Sequence, residues 1–341
     1  MERNRVRLVD IADNLGLSTA TVSNVIHGKT NKISNETVKR VQQELEKSGY
    51  IPNMAGILLA RNNSRIIGVV INDHVKYEGR VLEDGFVMSS LNALSHEVNQ
   101  KGYFLMIKTT VDINEIPVFA SMWNMDGLIL MGFCEADYEM LRNQMRISFV
   151  VYDGYFKNCS KIVNLVIDHY SGGYQAGAYF KELGHKKALC ISDNNICMDK
   201  ERMDGFREAF DSGEVVIWQV PKTAKERRNF YEKKFKDFLT MKITAVFAVS
   251  DYYALDYMHF IQGKGLLVPN NVQIIGFDDN EASRESLPSL TTIHQDAQIR
   301  AETAVECIEA MRDGRECNAK IVLPVELIKR ESTRKIVCQN L

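Results

Sequence analysis

Three short blocks of helical periodicity open the chain. In Val9–Leu15 the apolar positions Ile11, Ala12 and Leu15 share one face, and Gly16 stands where a left-handed residue closes a helix. Leu17 and Ser18 form the turn, with Ser18 placed to cap a second helix over 19–27 whose Val22, Val25 and Ile26 make the buried stripe. Gly28 stops that helix. Ser34 then caps a third, with Val38, Val41 and Leu45 on one face and Gly49 at its end. From residue 65 the pattern changes to short β-branched runs alternating with helical stretches. The strand candidates are Ile66–Ile71, Phe104–Lys108, Leu128–Met131, Phe149–Tyr152, Ala188–Ile191, Val215–Trp218, Ala245–Val249 and Val272–Phe277. Between the first two lies an amphipathic helix carrying Val87, Leu91, Leu94 and Val98. Repeated βα units predict parallel sheets covered by helices on both faces. About 270 residues exceed the usual size of one sheet domain, so two doubly wound lobes are expected, with ligands at the carboxyl ends of the strands.

Composition narrows the function classes. The 341 residues are 45% hydrophobic and 25% charged, with 42 Lys and Arg against 44 Asp and Glu, as in an ordinary globular protein. No apolar run approaches the roughly 20 residues of a membrane helix, and the N-terminus has no secretory h-region. Seven scattered cysteines (134, 159, 190, 197, 307, 317, 338) without a C-x-x-C pair read as reduced thiols of a cytoplasmic protein. No disulfide, metal or cofactor is expected. The net charge of -2 hides a local excess: residues 1–62 hold nine Lys and Arg against six Asp and Glu, a net of +3, and the remainder carries 33 against 38. A basic arm on an acidic body is a hint of nucleic-acid binding.

The first segment sharpens that hint. Two short helices joined by a tight turn, with a third closing the core, is the helix-turn-helix plan. The N-terminal end of the second helix enters the major groove, where small polar side chains reach base edges, while hydroxyls, helix N-termini and basic residues hold phosphates. Thr and Asn stand on its outward face where an idle surface would carry stronger helix formers, which favours DNA over a plain protein-contact bundle. Pro52-Asn53 then opens Met54–Ala60, a helix of about two turns, too short to persist alone and suited to folding with a partner and DNA.

The run Asp10-Ile11-Ala12-x-x-Leu15-Gly16-Leu17-Ser18-x-x-Thr21-Val22-Ser23-x-Val25-Ile26-x-Gly28, followed by Val41, Leu45 and Gly49-Tyr50-Ile51-Pro52-Asn53, resembles the headpiece of the lactose repressor/galactose repressor family. Later landmarks are similar in order and spacing: Glu201-Arg202-x-x-Gly205-Phe206, Ala245-Val246-Phe247-Ala248-x-x-Asp251, Gly265-x-x-Val268-Pro269, Ile275-Gly276-Phe277-Asp278-Asp279, Pro288-x-Leu290-Thr291-Thr292 and Leu323-Pro324-x-Glu326-Leu327. The resemblance implies a helix-turn-helix headpiece over 1–49, a hinge helix and linker over 50–64, and a periplasmic-binding-protein-like core over 65–336. The core would be an N-lobe of about 65–165 and 294–322 and a C-lobe of about 166–293 and 323–336. It also implies a homodimeric repressor on a near-palindromic double-stranded operator, controlled by a small-molecule effector, a carbohydrate by expectation. Base choice would fall on Thr19, Ala20 and Asn24, with Leu8, Ser18, Thr21, Ser23, His27 and Asn53 completing the DNA contacts and Leu59 wedging into the minor groove. Many relatives carry Arg where this chain has Asn24, and Gly56 replaces a small non-Gly residue, loosening the free hinge by roughly 0.5–1 kcal/mol.

For the effector, Asp153, Asp251 and Asp278 each follow a strand, and Arg202 opens a helix. Carboxylates and a planar guanidinium suit vicinal hydroxyls or an anionic group. A single Asp there more often caps a helix, but three at equivalent strand ends with an Arg favour a pocket. After the first strand, where relatives carry a Pro-aromatic-aromatic stretch, this chain reads Asn72-Asp73-His74-Val75-Lys76-Tyr77-Glu78-Gly79-Arg80, which leaves Tyr77 as the stacking ring and Asp73 as a further contact. Enzyme motifs are missing: no H-E-x-x-H, G-x-S-x-G, G-x-G-x-x-G or Walker loop occurs. A transport receptor would share the core but needs a signal peptide, and a phosphoprotein partner instead of a sugar remains the alternative form of control.

Overall fold

The computed structural model describes residues 6–26, 28–50, 64–133, 141, 143–155, 162–211 and 213–335. The chain divides into two compact units, Met1–Asn62 and Asn63–Leu341. In the first, α1 (Leu8–Leu15), α2 (Thr19–Ile26) and α3 (Asn35–Ser48) enclose Ile11, Ala12, Val22, Val25 and Val41. The caps are those the residues announce. The Thr37 amide donates to the Ser34 hydroxyl at 3.2 Å, and Gly16 and Gly49 close their helices at φ 63° and 61°. Arg7, not predicted as a cap, donates its amide to the Asp10 carboxylate at 2.7 Å.

In the second unit the strands are β1 (Ile66–Asn72), β2 (Phe104–Thr110), β3 (Gly127–Met131), β4 (Phe149–Tyr152), β5 (Ile162–Ile167), β6 (Lys187–Ser192), β7 (Glu214–Gln219), β8 (Ala245–Ala248), β9 (Gln273–Asp278), β10 (Thr291–His294), β11 (Lys320–Leu323) and β12 (Glu326–Ile328). They form two six-stranded sheets, ordered β11-β5-β4-β3-β1-β2 and β12-β10-β9-β8-β6-β7. The first is parallel throughout; in the second only β12 runs antiparallel, against β10. β1, β3, β4 and β8 are buried along their length, apart from the last residue of β1, as strands covered on both faces must be. Four strands went unpredicted: β5, β10, β11 and β12. These are the segments by which the chain passes between lobes, after β5, after β10 and between β11 and β12. The helix Ala297–Arg312 consequently packs on Gly85–Gln100 and β3 of the N-lobe, whereas His169–Glu182 packs on Cys197–Ala209 and β12 of the C-lobe.

One close approach fixes the C-lobe side of the cleft. The helices His169–Glu182 and Cys197–Ala209 meet backbone to backbone, so that a Cβ on Gly173 would lie 1.8 Å from the Arg202 carbonyl oxygen. Glycine there lets His169 and Arg202 face one another.

Candidate functional site

On the headpiece, Thr19, Ala20 and Asn24 are exposed on α2, while Val22 and Val25 are turned into the core. Ser18 is exposed, and its hydroxyl accepts from the Thr21 amide at 3.1 Å and lies 2.9 Å from the Thr21 hydroxyl, so part of the Thr21 side chain serves the cap. Ser23 is half-buried, and Leu8 packs against the headpiece core. His27, Asn53 and Leu59 lie outside the described residues, as does most of the hinge, 51–63.

In the core, three of the expected effector contacts are joined into one buried ring. His169 Nε2 lies 2.8 Å from Asp153 Oδ1, and Arg300 Nη2 donates to the same oxygen at 2.8 Å. Arg300 Nη1 donates to Gln295 Oε1 at 3.0 Å, and Gln295 Nε2 to Asp278 Oδ1 at 2.7 Å. The ring closes through Arg202, whose Nη1 is 3.9 Å from Asp278 Oδ1 and whose Nε donates to His169 Nδ1 at 3.2 Å. That last bond leaves Nδ1 without a proton and assigns the His169 hydrogen to Nε2, facing Asp153. The Arg202 guanidinium stacks 3.7 Å from the Phe277 ring centre, and Arg300 lies 4.1 Å from that of Tyr152. Burial alone would raise the Asp153 carboxyl; the Arg300 guanidinium and His169 outweigh it and hold the group well below the usual carboxylate range. Burial pushes Asp278 well up, against the pull of Arg202. Asp153 and Asp278 both take positive φ, 56° and 125°, a conformation non-glycine residues hold only when their surroundings impose it.

Asp251 is different, and its expected effector contact is corrected. Its side chain is fully buried: Oδ1 accepts from the Thr292 hydroxyl at 2.6 Å and Oδ2 from the Asn280 amide at 3.1 Å. Both oxygens are consumed in holding β10 and the loop after β9, which is the reason it does not reach the cleft. Burial pushes this carboxyl up to about 6. Asp73 is not brought into the ring either; it follows β1 with one carboxylate oxygen buried and without a partner among the described residues.

Beside the ring, the two lobes enclose a cleft of about 720 Å³. Tyr77 and Lys76 line it from the N-lobe, and Tyr252, Asn280 and Glu281 from the C-lobe. Asp278 borders only a void of about 10 Å³ beside it. Burial pushes the Tyr77 phenol up to about 12, which keeps it a neutral donor at physiological pH. The loop after β1, with short 3-10 turns at Val75–Tyr77 and Val81–Glu83, crosses to the C-lobe. There Lys222 Nζ lies 3.2 Å from His74 Nε2, and the Ala224 amide donates to Glu78 Oε2 at 3.4 Å. Lys76, Tyr252, Asn280, His169 and Arg300 all escaped the sequence reading. His169 directly follows Asp168 at a strand end, and Tyr252 and Asn280 directly follow the landmark aspartates Asp251 and Asp279.

Comparison with known proteins places this geometry. Residues 7–53 match the model of bacterial regulatory proteins of the lacI family, and residues 178–333 that of a periplasmic binding protein-like domain. The chain is 29% identical over 338 residues to the transcriptional repressor PurR of Pasteurella multocida, spanning 95% of this chain and 98% of the relative. It is 27% identical over 343 residues to the transcriptional regulator DegA of Bacillus subtilis, spanning 96% and 98%. Its fold is similar to that of the lac repressor dimer bound to operator and the anti-inducer ONPF, with a TM-score of 0.83 at 21% identity over 96% of this chain and 99% of that one. A complex of the transcriptional regulator CelR with cellobiose superposes with a TM-score of 0.69 at 20% identity over 96% and 100%. No helix among the described residues is long and apolar enough to cross a membrane. With a helix-turn-helix of the lacI family of bacterial regulatory proteins over residues 7–53, a periplasmic binding protein-like domain following it in sequence, and alignment along nearly the whole chain to transcriptional repressors and regulators, this is a DNA-binding transcription regulator under small-molecule control.

Proposed function

We propose that this chain acts as a homodimeric repressor whose headpieces read a near-palindromic operator through Thr19, Ala20 and Asn24, and whose core takes a carbohydrate or sugar derivative between its lobes. The observation that carries the reading is the cleft walled by Tyr77 and Tyr252 from opposite lobes, with Asp278 on the small neighbouring void and 3.9 Å from Arg202. Flat rings offer the apolar face of a sugar or base a surface, and the carboxylate–guanidinium pair offers hydroxyls directed bonds. Binding there exchanges ligand hydroxyls for members of the buried ring, and so couples the effector to the three passages between lobes. A ligand that binds one lobe arrangement better than the other shifts that equilibrium by its difference in affinity, and with it the spacing of the two hinge segments.

Dimerisation fits an apolar face on the N-lobe. Phe104 and Ile107 on the edge strand β2, with Val111, Val118, Met122 and Trp123 around the helix Glu115–Met122, are all exposed. A second copy would cover both the open strand edge and these side chains.

The test is selection of bound fragments from random DNA by the full-length protein. A near-palindromic consensus is expected, and Asn24→Ala should relax preference at one position of each half-site, at a cost of about 1–3 kcal/mol, with the other positions kept. Uniform weakening over all sequences would remove Asn24 from base reading. Asp278→Ala should keep operator binding and lose the effector response.

A further inference from the structure

Two cysteines stand beside one another at the root of β11. Cys307 lies on the helix Ala297–Arg312, 5% exposed and packed in the N-lobe core. Cys317, ten residues on, is half-buried against the same core, between the exposed Glu316 and Asn318. The local chain explains the meeting. Gly314 ends the helix at φ 73°, and the Arg315 amide donates to the Ala310 carbonyl at 2.8 Å, so the segment turns back along the end of the helix. Cys317 Sγ then donates to the Cys307 carbonyl at 3.7 Å, and the two thiols are within hydrogen-bonding reach of each other. Two residues further, the Ala319 carbonyl accepts from the Asn164 amide at 2.9 Å and from Asn164 Nδ2 at 3.2 Å. That anchors the far end of the segment on β5, just before β11 begins at Lys320.

The two sulfurs differ in the way a two-step oxidation requires: one that solvent reaches, and a protected one next to it. Cys317 is the first and Cys307 the second. Burial, with Cys317 adding to it, pushes the Cys307 thiol up to about 12, so it keeps its proton and does not compete for the oxidant. Cys190, by contrast, is wholly buried in the C-lobe core, where solvent does not reach its sulfur.

We propose that Cys317 and Cys307 are a peroxide-oxidisable pair whose disulfide ties the root of β11 to the helix before it. One hydrogen peroxide suffices. The Cys317 sulfur attacks a peroxide oxygen, the O–O bond breaks, and the departing oxygen takes the thiol proton and leaves as water, giving a sulfenic acid. The Cys307 sulfur then attacks that of Cys317, the S–O bond breaks, and the hydroxyl leaves with the Cys307 proton as a second water. The two thiols lose two electrons in all, and the peroxide gains them. The chain passes to the C-lobe between β11 and β12, so the bond stiffens the N-lobe end of that passage. The inference is independent of what binds between the lobes.

The test uses the reduced full-length protein as wild type, Cys317→Ser and Cys307→Ala, each checked for folding by circular dichroism. Each is treated with hydrogen peroxide, capped with N-ethylmaleimide and digested with trypsin without reduction. Cleavage after Arg312 and Arg315 puts the two cysteines on separate peptides, so a linked pair is diagnostic. Wild type should yield that pair from a chain that still migrates as a monomer on a non-reducing denaturing gel. Its Tm should rise by roughly 5 °C and return with dithiothreitol. Neither variant should show the linkage or the reversible rise, and whichever folds suffices as the control. In Cys307→Ala the Cys317 sulfenic acid should accumulate and be trapped by dimedone. Cys307 and Cys317 found unlinked in oxidised wild type, joined to other cysteines or joined between chains overturns the proposal. So does a linked pair with unchanged Tm, since the bond would then anchor nothing. Dimedone on Cys307 of Cys317→Ser, with none on Cys317 of Cys307→Ala, overturns the order of the two steps.

Discussion

Two clusters of charge meet at the cleft, and they are built on opposite terms. The ring of Asp153, His169, Arg202, Asp278, Gln295 and Arg300 is joined by hydrogen bonds except at the 3.9 Å ion pair of Arg202 with Asp278, and Arg300, 1% exposed, leaves only its Nε without a partner among the described residues. Around Lys76, which lies 4.9 Å from the Tyr77 ring centre, Asp84 shares the cleft wall and spends one carboxylate oxygen on capping its helix, with no ion pair between the two among the described residues. Burying charge is tolerated where partners complete it, so the first cluster is scaffold at rest and a switch when opened. The second keeps its charges on the wall of the open cleft, where solvent screens them. Asp278 joins the two, since it feels both Arg202 and Lys76.

The contrast breaks most easily at Arg300. Arg300→Met strands the Asp153 carboxylate in the interior and should destabilise the core by about 3–5 kcal/mol in urea denaturation. Lys76→Met on the cleft wall should change stability by less than about 1 kcal/mol. Equal losses would erase the distinction between a paired scaffold and a solvent-screened wall. Next in size, Gly173→Ala forces the two C-lobe helices apart at the Arg202 carbonyl, and on the order of 1–3 kcal/mol of stability should go with it. Because the same shift displaces Arg202 from His169, the effector response should suffer in parallel; a stable protein with normal response would show that the close approach does not position the ring.

The smallest effect is a pH slope. His169 is held below its ordinary value of 6.5 chiefly by burial and by Arg202, with Asp153 pulling the other way. The folded chain therefore refuses a proton that the unfolded chain accepts. Stability from this group is full above pH 6.5 and is lost as pH falls through it, by at most about 1.4 kcal/mol per pH unit for one proton. The difference between wild type and His169→Gln, measured from pH 7.5 to 5.5, isolates that slope. A stability advantage of wild type over the variant that shrinks as pH rises would reverse the assignment.

How much of this was legible beforehand varies along the chain. The headpiece was read nearly residue by residue, because its helices are set by contacts three and four residues apart and by caps within the same turn, as at Ser34 and Thr37. All eight strand candidates are strands. The missed ones are instructive: β10, β11 and β12 are short and mix Thr, His, Lys and Glu with apolar residues, and they become strands by pairing with segments distant in sequence. β11, for instance, pairs residue 320 with 164. β5 is a wholly buried run, Ile162–Ile167, whose central Asn164 masked its character in the sequence.

Among the site residues the limit is equally physical. Asp153, Asp251 and Asp278 look alike as aspartates just past a strand. What separates them is Arg300 reaching Asp153, Thr292 and Asn280 saturating Asp251, and Gln295 and Arg202 sharing Asp278. The sequence by itself determined the helix-turn-helix, the two-lobed parallel architecture and the strand ends where polar side chains gather, since periodicity, caps and β-branched runs act over a few residues. Which of those side chains are paired, which are consumed in holding the fold, and which stay short of a partner was decided only by tertiary structure. Desolvation and Coulomb energy depend on neighbours in space, and here those neighbours come from distant residues, as Asp153 and Arg300 are at 147 positions apart.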